Sequence, residues 1–250
     1  MTSVIAAIDN SAAARPVLSM ARAVAEVLRA EPIAVHVLED GDATAQAVAK
    51  AGGTRLHVLK GEPLDELERT VNEGDVVALV LGSRDVGGGG GARPAGHLAL
   101  QLAGRTDKPV IAVPPDAHPP ERIRTVLIAM EGTPGKARAL NRTIELSSGV
   151  GLEMTVVHVD EEVPSFTDQV QHETEAYAQA FLARHVVGAP VATLELRIGI
   201  PAVEVLALVE ERRPDLVAVG WPHSGSPERG TVVREILARS PVPVLLVAVS

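Results

Sequence analysis

Short apolar runs rich in Val, Ile, Leu and Ala recur along the chain. They are separated by stretches whose apolar residues fall at helical spacing. The runs Ser3–Ile8, Ile33–Val37, Leu56–Leu59, Val76–Leu81 and Val110–Val113 are mostly continuous rather than alternating. Strands buried on both faces of a parallel sheet read this way. Between the first two, Arg15–Arg29 sets Val17, Met20, Val24, Val27 and Leu28 on one stripe, which predicts an amphipathic helix. Ala43–Ala51 predicts a short second helix. Pro63 follows a Gly turn and predicts the start of a third, since Pro suits the first helical position. Alternation of strand and helix implies a parallel sheet with right-handed crossovers and helices on both faces.

The pattern then starts again. VIAAIDNS from Val4 returns as VLIAMEGT from Val126, and IAVHV from Ile33 returns as TVVHV from Thr155. The offset of 122 residues (Asp9 to Glu131, His36 to His158) grows to 138 from Gly61 to Gly199 and from Gly82 to Gly220. Thr133 and Pro134 predict an N-cap and first position for the second copy's opening helix. Gln169–Arg184 carries Val170, Tyr177 and Phe181 on one face, and Pro201 opens a helix as Pro63 does. Two copies of one five-stranded unit follow. PPDAHPPE, Pro114 to Glu121, has four prolines and predicts a stiff connection. The expected domains are 1–116 and 123–250, joined by a Pro-rich linker at 117–122. The copies are expected to face each other as separate sheets. The rim beside Trp221 is expected to admit an anionic nucleoside, and one continuous sheet, or side chains plugging that rim, stands against this whole reading.

Composition narrows the partners. Aromatics are 2 % of the chain, so the core must pack aliphatic side chains and there are few rings on which bases could stack. A formal net charge of -9 argues against a nucleic-acid backbone as partner. With no cysteine, disulfides, zinc-thiolate sites and cysteine nucleophiles are excluded. No apolar stretch is long enough to cross a membrane, and the N-terminus lacks the basic start of a signal peptide, so a soluble cytoplasmic protein is expected.

In a doubly wound sheet, ligands sit beyond the carboxyl ends of the strands where strand order reverses. If the first strand neighbours the fourth, that crevice lies between Asp9 and the Gly82 loop, and between Glu131 and the Gly220 loop. The loop LGSRDVGGGGGARPAGH, Leu81 to His97, has Arg84 and Arg93 to neutralise a phosphate; the alternative is a solvated loop with no ligand. In the second loop Arg229 favours an anion and Glu228 opposes it.

The AAIDNS strand end, the Val-His-Val endings, the Gly-x-Pro turns and the Gly-loop-Gly segments before KPVIAVP and SPVPVLLV resemble the universal stress protein family in its tandem form, over essentially the whole chain. The resemblance implies a Rossmann-like fold related to the adenine nucleotide α-hydrolases. It also implies a stress-response or regulatory role and an adenine nucleotide (ATP, ADP or AMP) as ligand, with Mg2+ only if a triphosphate is bound. Nucleotide-binding members resemble one another in a Gly-x-x-Gly, nine-residue, Gly-Ser/Thr loop. Here Asp85 and His223 stand at the second glycine. The first loop ends in Gly96–His97, one residue late, and the second in Gly230–Thr231, three residues early. Glu131 stands where the family usually has Asp. By this resemblance the second copy's contacts are Ala129, Glu131, Val159, Gly220, Gly230 and Thr231. Glu131 would hold the ribose, Val159 the adenine and the glycines the phosphates. The weaker set is Ala7, Asp9, Val37, Gly82 and Gly96.

Rival chemistries lack their residues. Gly87-x-Gly89-x-x-Ala92 fits a dinucleotide fingerprint only as any glycine run would, and it does not follow the first strand. Gly225 to Thr231 has no P-loop lysine. His172–Glu173 has no second His one turn on, and there is no Gly-x-Ser-x-Gly elbow. No constellation demands catalysis, though weak ATPase activity stays open. The alternatives are a ligand-free scaffold, in which the two copies pack as a pseudo-dimer and present surfaces to proteins, or an enzyme on the nucleotide-hydrolysing fold. A homodimer of whole chains also stays open.

Overall fold

The computed structural model describes residues 1–38, 50–83, 94–130, 151–160, 192–222 and 230–249. The helices expected at Ala43–Ala51, after Thr133 and over Gln169–Arg184 lie almost entirely outside them. In the first half the strands are β1 (Ser3–Ala7), β2 (Glu31–Leu38), β3 (Arg55–Lys60), β4 (Val76–Gly82) and β5 (Val110–Val113). In the second they are β6 (Thr125–Met130), β7 (Glu153–Asp160), β8 (Ala192–Ile198), β9 (Leu216–Pro222) and β10 (Val244–Val249). The described helices are α1 (Ala14–Leu28), α2 (Pro63–Val71), α3 (His97–Ala103), α4 (Pro201–Arg212) and α5 (Gly230–Arg239). Each strand read from the first copy's sequence is present within two residues at either end.

All ten described strands form one sheet, in the order β3-β2-β1-β4-β5-β10-β9-β6-β7-β8. The expectation of two separate sheets is therefore corrected. What stands is the five-stranded unit, present twice, with every pairing inside each unit parallel. The units join where β5 meets β10 antiparallel, with Ile111 opposite Leu245. β5 is a continuous apolar run with no charge to guard its edge, so a second such strand can complete its ladder.

Each face of the sheet carries a core that runs through both halves. On one face α1 buries Val17, Met20 and Val24 against Val4, Ala6, Ala78 and Val80, and the core continues to Val126, Ile128, Met154 and Ala218. On the other, α2, α3, α4 and α5 cover Ile5, Leu79, Leu127, Val217 and Leu246. The split follows from right-handed crossovers. The helix from β1 to β2 and those leading to β4 and β5 run in opposite directions across the sheet, so they fall on opposite faces. Fully burying one such aliphatic side chain contributes about 1.5–3 kcal/mol.

The Pro-rich connection is packed against the molecule. Ala117 and Ile123 are buried in the α1-side core, and Arg122 Nε donates to Glu26 Oε1 of α1 at 2.9 Å.

One turn is built the same way in both halves. Gly61 and Gly199 sit at φ 145° and 142°, one residue before the residue that caps α2 or α4, and Pro63 and Pro201 open those helices. A Cβ on Gly61 would lie 3.0 Å from Glu66 Cγ, and one on Gly199 3.0 Å from Glu204 Oε1. The first-turn glutamate thus folds back over a position that only glycine fills without strain.

Candidate functional site

The sheet order puts β1 beside both β2 and β4, and β6 beside both β7 and β9. These are the two places where the direction of winding reverses, and the condition set by the sequence is met in both halves. Ala6 pairs with Val80 across β1 and β4, and Ala129 with Val219 across β6 and β9. The carboxyl ends of three adjacent strands therefore meet at each crevice. Ala7, Val37 and Gly82 lie at the first, and Ala129, Val159 and Gly220 at the second; all six are half-buried. Glu131 lies outside the described residues, as do Arg84, Asp85, Arg93, His223, Glu228 and Arg229.

In the first half, Asp9 is exposed just beyond β1. Its Oδ1 accepts from Ser11 N at 3.0 Å and Ser11 Oγ at 2.6 Å, and Ser11 Oγ accepts from Ala13 N at 3.1 Å. This relay shapes the turn into α1 and already engages one carboxylate oxygen. Lys50 Nζ donates to Ser11 O at 2.7 Å, which brings a cation to the same turn. His36 is buried, and its Nδ1 lies 2.9 Å from Ile8 O. That fits its expected role as a structural side chain beside the crevice.

Gly96 is buried at φ 74°, and its N–H donates to Ser83 O at 2.5 Å. A Cβ there would come within 2.7 Å of Leu237 Cδ1 on α5 of the other half. The glycine read as a phosphate-loop residue therefore also lets α3 approach the second half closely. The signal that could have revealed this was Gly96 opening a short apolar helix, HLALQLA, which needs a partner.

In the second half, His158 is buried at the equivalent of His36, and its Nε2 lies 3.2 Å from Asp160 Oδ1. Thr231 is exposed at the start of α5. Gly230 is buried against Trp221, so that a Cβ on it would lie 3.5 Å from the indole Cη2. The ring belongs to the core shared by α2, α3, α4 and α5. The indole itself takes up space next to Gly230. Leading backbone N–H groups of a helix suit an anion, and α5 is a full-length helix where α3 is under two turns. Among the described residues no three His, Asp or Glu side chains gather as a metal site. No described helix is long and apolar enough to cross a membrane.

A sheet wound twice in this order, with crevices at both reversals, defines a doubled Rossmann-like protein. The universal stress protein family profile matches residues 122–248, and the chain belongs to that family. A search of curated proteins finds no match. Among solved structures, a universal stress protein from Archaeoglobus fulgidus is similar over 98 % of this chain and 98 % of its own, at 17 % identity and a TM-score of 0.68. A protein from Pseudomonas aeruginosa is similar over 100 % of this chain and 94 % of its own, at 11 % identity and a TM-score of 0.69. A universal stress protein solved in complex with cAMP aligns with 51 % of this chain and 98 % of its own, at 21 % identity and a TM-score of 0.41.

Proposed function

We propose that this universal stress protein binds an adenine nucleotide at the carboxyl-end crevice of at least one half and serves a regulatory, stress-response role. The second half is the stronger candidate. The observation that carries the reading is the reversal of strand order between β6 and β9, with Ala129, Val159 and Gly220 near the carboxyl ends of β6, β7 and β9. The N-terminus of α5 at Gly230 and Thr231 supports an anion there. Ala7, Asp9, Val37, Gly82 and Gly96 form the weaker, first-half set, because Asp9 is engaged by Ser11 and Gly96 is packed on Leu237. The domain units behind this reading are 1–116 and 123–250.

A ligand-free scaffold is the second reading. The observation favouring it is that the closing glycines of both loops, Gly96 and Gly230, are buried against Leu237 and Trp221. Mass spectrometry for nucleotide carried through purification, followed by titration of ATP, ADP and AMP, separates the two. Trp221 is the only tryptophan and touches Gly230, so its fluorescence reports on the second half. A saturable change supports nucleotide binding. A flat trace with silent calorimetry at millimolar ligand supports the scaffold.

A further inference from the structure

The two outermost strands of the sheet, β3 and β8, are equivalent elements of the repeated unit, and their surfaces differ. Among the described residues the exposed large apolar side chains are Met1, Val58, Ile198, Ile200 and Val203. Three of these five sit together where β8 turns into α4, with exposures of 50 %, 66 % and 42 %. Their counterparts in the first half, at the turn from β3 into α2, are Lys60, Glu62 and Asp65. One copy of the same turn is charged and the other apolar.

Among the described residues no strand flanks β8 on its outer side, which leaves a row of backbone donors and acceptors open to pairing. Its side chains are self-complementary. Pairing β8 antiparallel with a second β8 about a two-fold axis at Leu196 sets Glu195 opposite Arg197 of the other copy, and Leu194 opposite Ile198. Glu195 and Arg197 face α4, where they already pair with Arg212 and Glu211. The two-fold arrangement would link these pairs into alternating rows of four charges, Arg212, Glu195, Arg197 and Glu211, each row running from one copy to the other. On the opposite face, Leu194 packs against the α1-side core and Ile198 continues its row. A two-fold contact of this kind is closed, because the same patch is used on both copies.

We propose that β8 is a homodimer interface, and that a second copy of this chain adds its own β8 antiparallel to extend the sheet. Ile198 of each copy then leaves water against Leu194 of the other. Neither the interface nor its register depends on nucleotide binding.

Sedimentation velocity of the full chain over a rising concentration series tests this. The wild type is expected to approach twice the 26.1 kDa chain mass. E195R and R197E are each expected to stay at the chain mass, because each sets like charges face to face. Mixed in equal amounts they are expected to dimerise, because each reversed position then meets its opposite. Ile198→Lys, at an exposed position outside the ion pairs, is expected to abolish the dimer as well, and it serves if either reversal fails to give a wild-type circular dichroism spectrum. A wild type that stays at the chain mass overturns the proposal. So do variants that dimerise as the wild type does, and so does a mixture of two folded reversals that remains monomeric.

Discussion

β3 and β8 hold the same place in two copies of one unit, yet water sees different strands. β3 reads Arg-Leu-His-Val-Leu-Lys and contains no acid, so no self-pairing register can set a base against a carboxylate. β8 reads Ala-Thr-Leu-Glu-Leu-Arg-Ile and carries one charge of each sign two positions apart. Cationic residues on an edge strand are a common guard against unwanted pairing. The comparison teaches that duplication conserved the core positions and released the outer ones. Inside the sheet both edges keep the same register, Ile33 with Arg55 and Thr155 with Thr193. Outside it, one edge repels its own kind and the other matches it.

The most drastic way to break this contrast is to give β3 the pattern of β8. In H57E/L59R/K60I the first edge becomes self-complementary about Val58. With two such edges, at opposite ends of one sheet, association no longer closes, and the chain is expected to form open-ended assemblies. Light scattering should rise with time and concentration in the triple variant and stay level in the wild type. A triple variant that keeps wild-type circular dichroism and scatters no more than the wild type would show that charge pattern does not decide what these edges do.

A second contrast lies at the seam. Gly96 and Gly230 close equivalent loops, but only Gly96 has a positive φ and only its Cβ direction points into Leu237. Gly96→Val combines overpacking with an unfavourable backbone and should cost about 3 kcal/mol in urea unfolding. At Gly230 the nearest neighbour of an added Cβ is Nε of the long Arg234 side chain at 3.2 Å, which can shift, so Gly230→Ala should stay within about 1 kcal/mol of wild type. Equal losses at the two sites would mean that the seam does not depend on the Gly96 approach.

That seam marks the limit of what the sequence made legible. Strand positions, the third helices opening at Pro63 and Pro201, and the placing of β1 beside β4 and of β6 beside β9 all follow from local pattern and from repetition. The joining of β5 to β10 does not, because VIAV and VLLVAV read as buried strands whichever neighbour buries them. Gly96 was read for a loop that holds phosphate, and sequence alone cannot tell a glycine that admits a ligand from one that admits Leu237. Trp221 is similar. Its position beside Gly220 was evident, but the turn of its ring into the core depends on the face of β9 it occupies and on the absence of a side chain at Gly230.

Where the two halves are built alike, they should fail alike. Gly61→Ala and Gly199→Ala each force a side chain onto a φ near 140–145° and against a first-turn glutamate. Each should cost about 2 kcal/mol in urea unfolding, and the two losses should agree within about 0.5 kcal/mol. A large inequality would show that the turns, matched in backbone, carry unequal loads, with the exposed Ile200 and Val203 as the first place to look.

The smallest effect expected separates the edges by pH. Arg197 donates from Nη1 and Nη2 to Glu211 at 3.2 and 2.6 Å, clamping β8 to α4. That hydrogen bond, with the guanidinium's charge, holds the Glu211 carboxyl below the usual carboxylate range. In the first half Leu59 stands at the place of Arg197, so β3 has no such clamp. A carboxyl whose pKa is depressed by folding stabilises the fold above its unfolded pKa, and the benefit disappears as pH falls through the folded value. Glu211→Gln should therefore unfold at lower urea than wild type at neutral pH, and the two midpoints should converge as the solution is acidified through the carboxylate range. Glu211 is half-exposed and Arg197 partly so, and added salt should therefore also shrink the gap at neutral pH. Midpoints that differ equally at neutral and acid pH would place the loss in packing and not in the charge of Glu211.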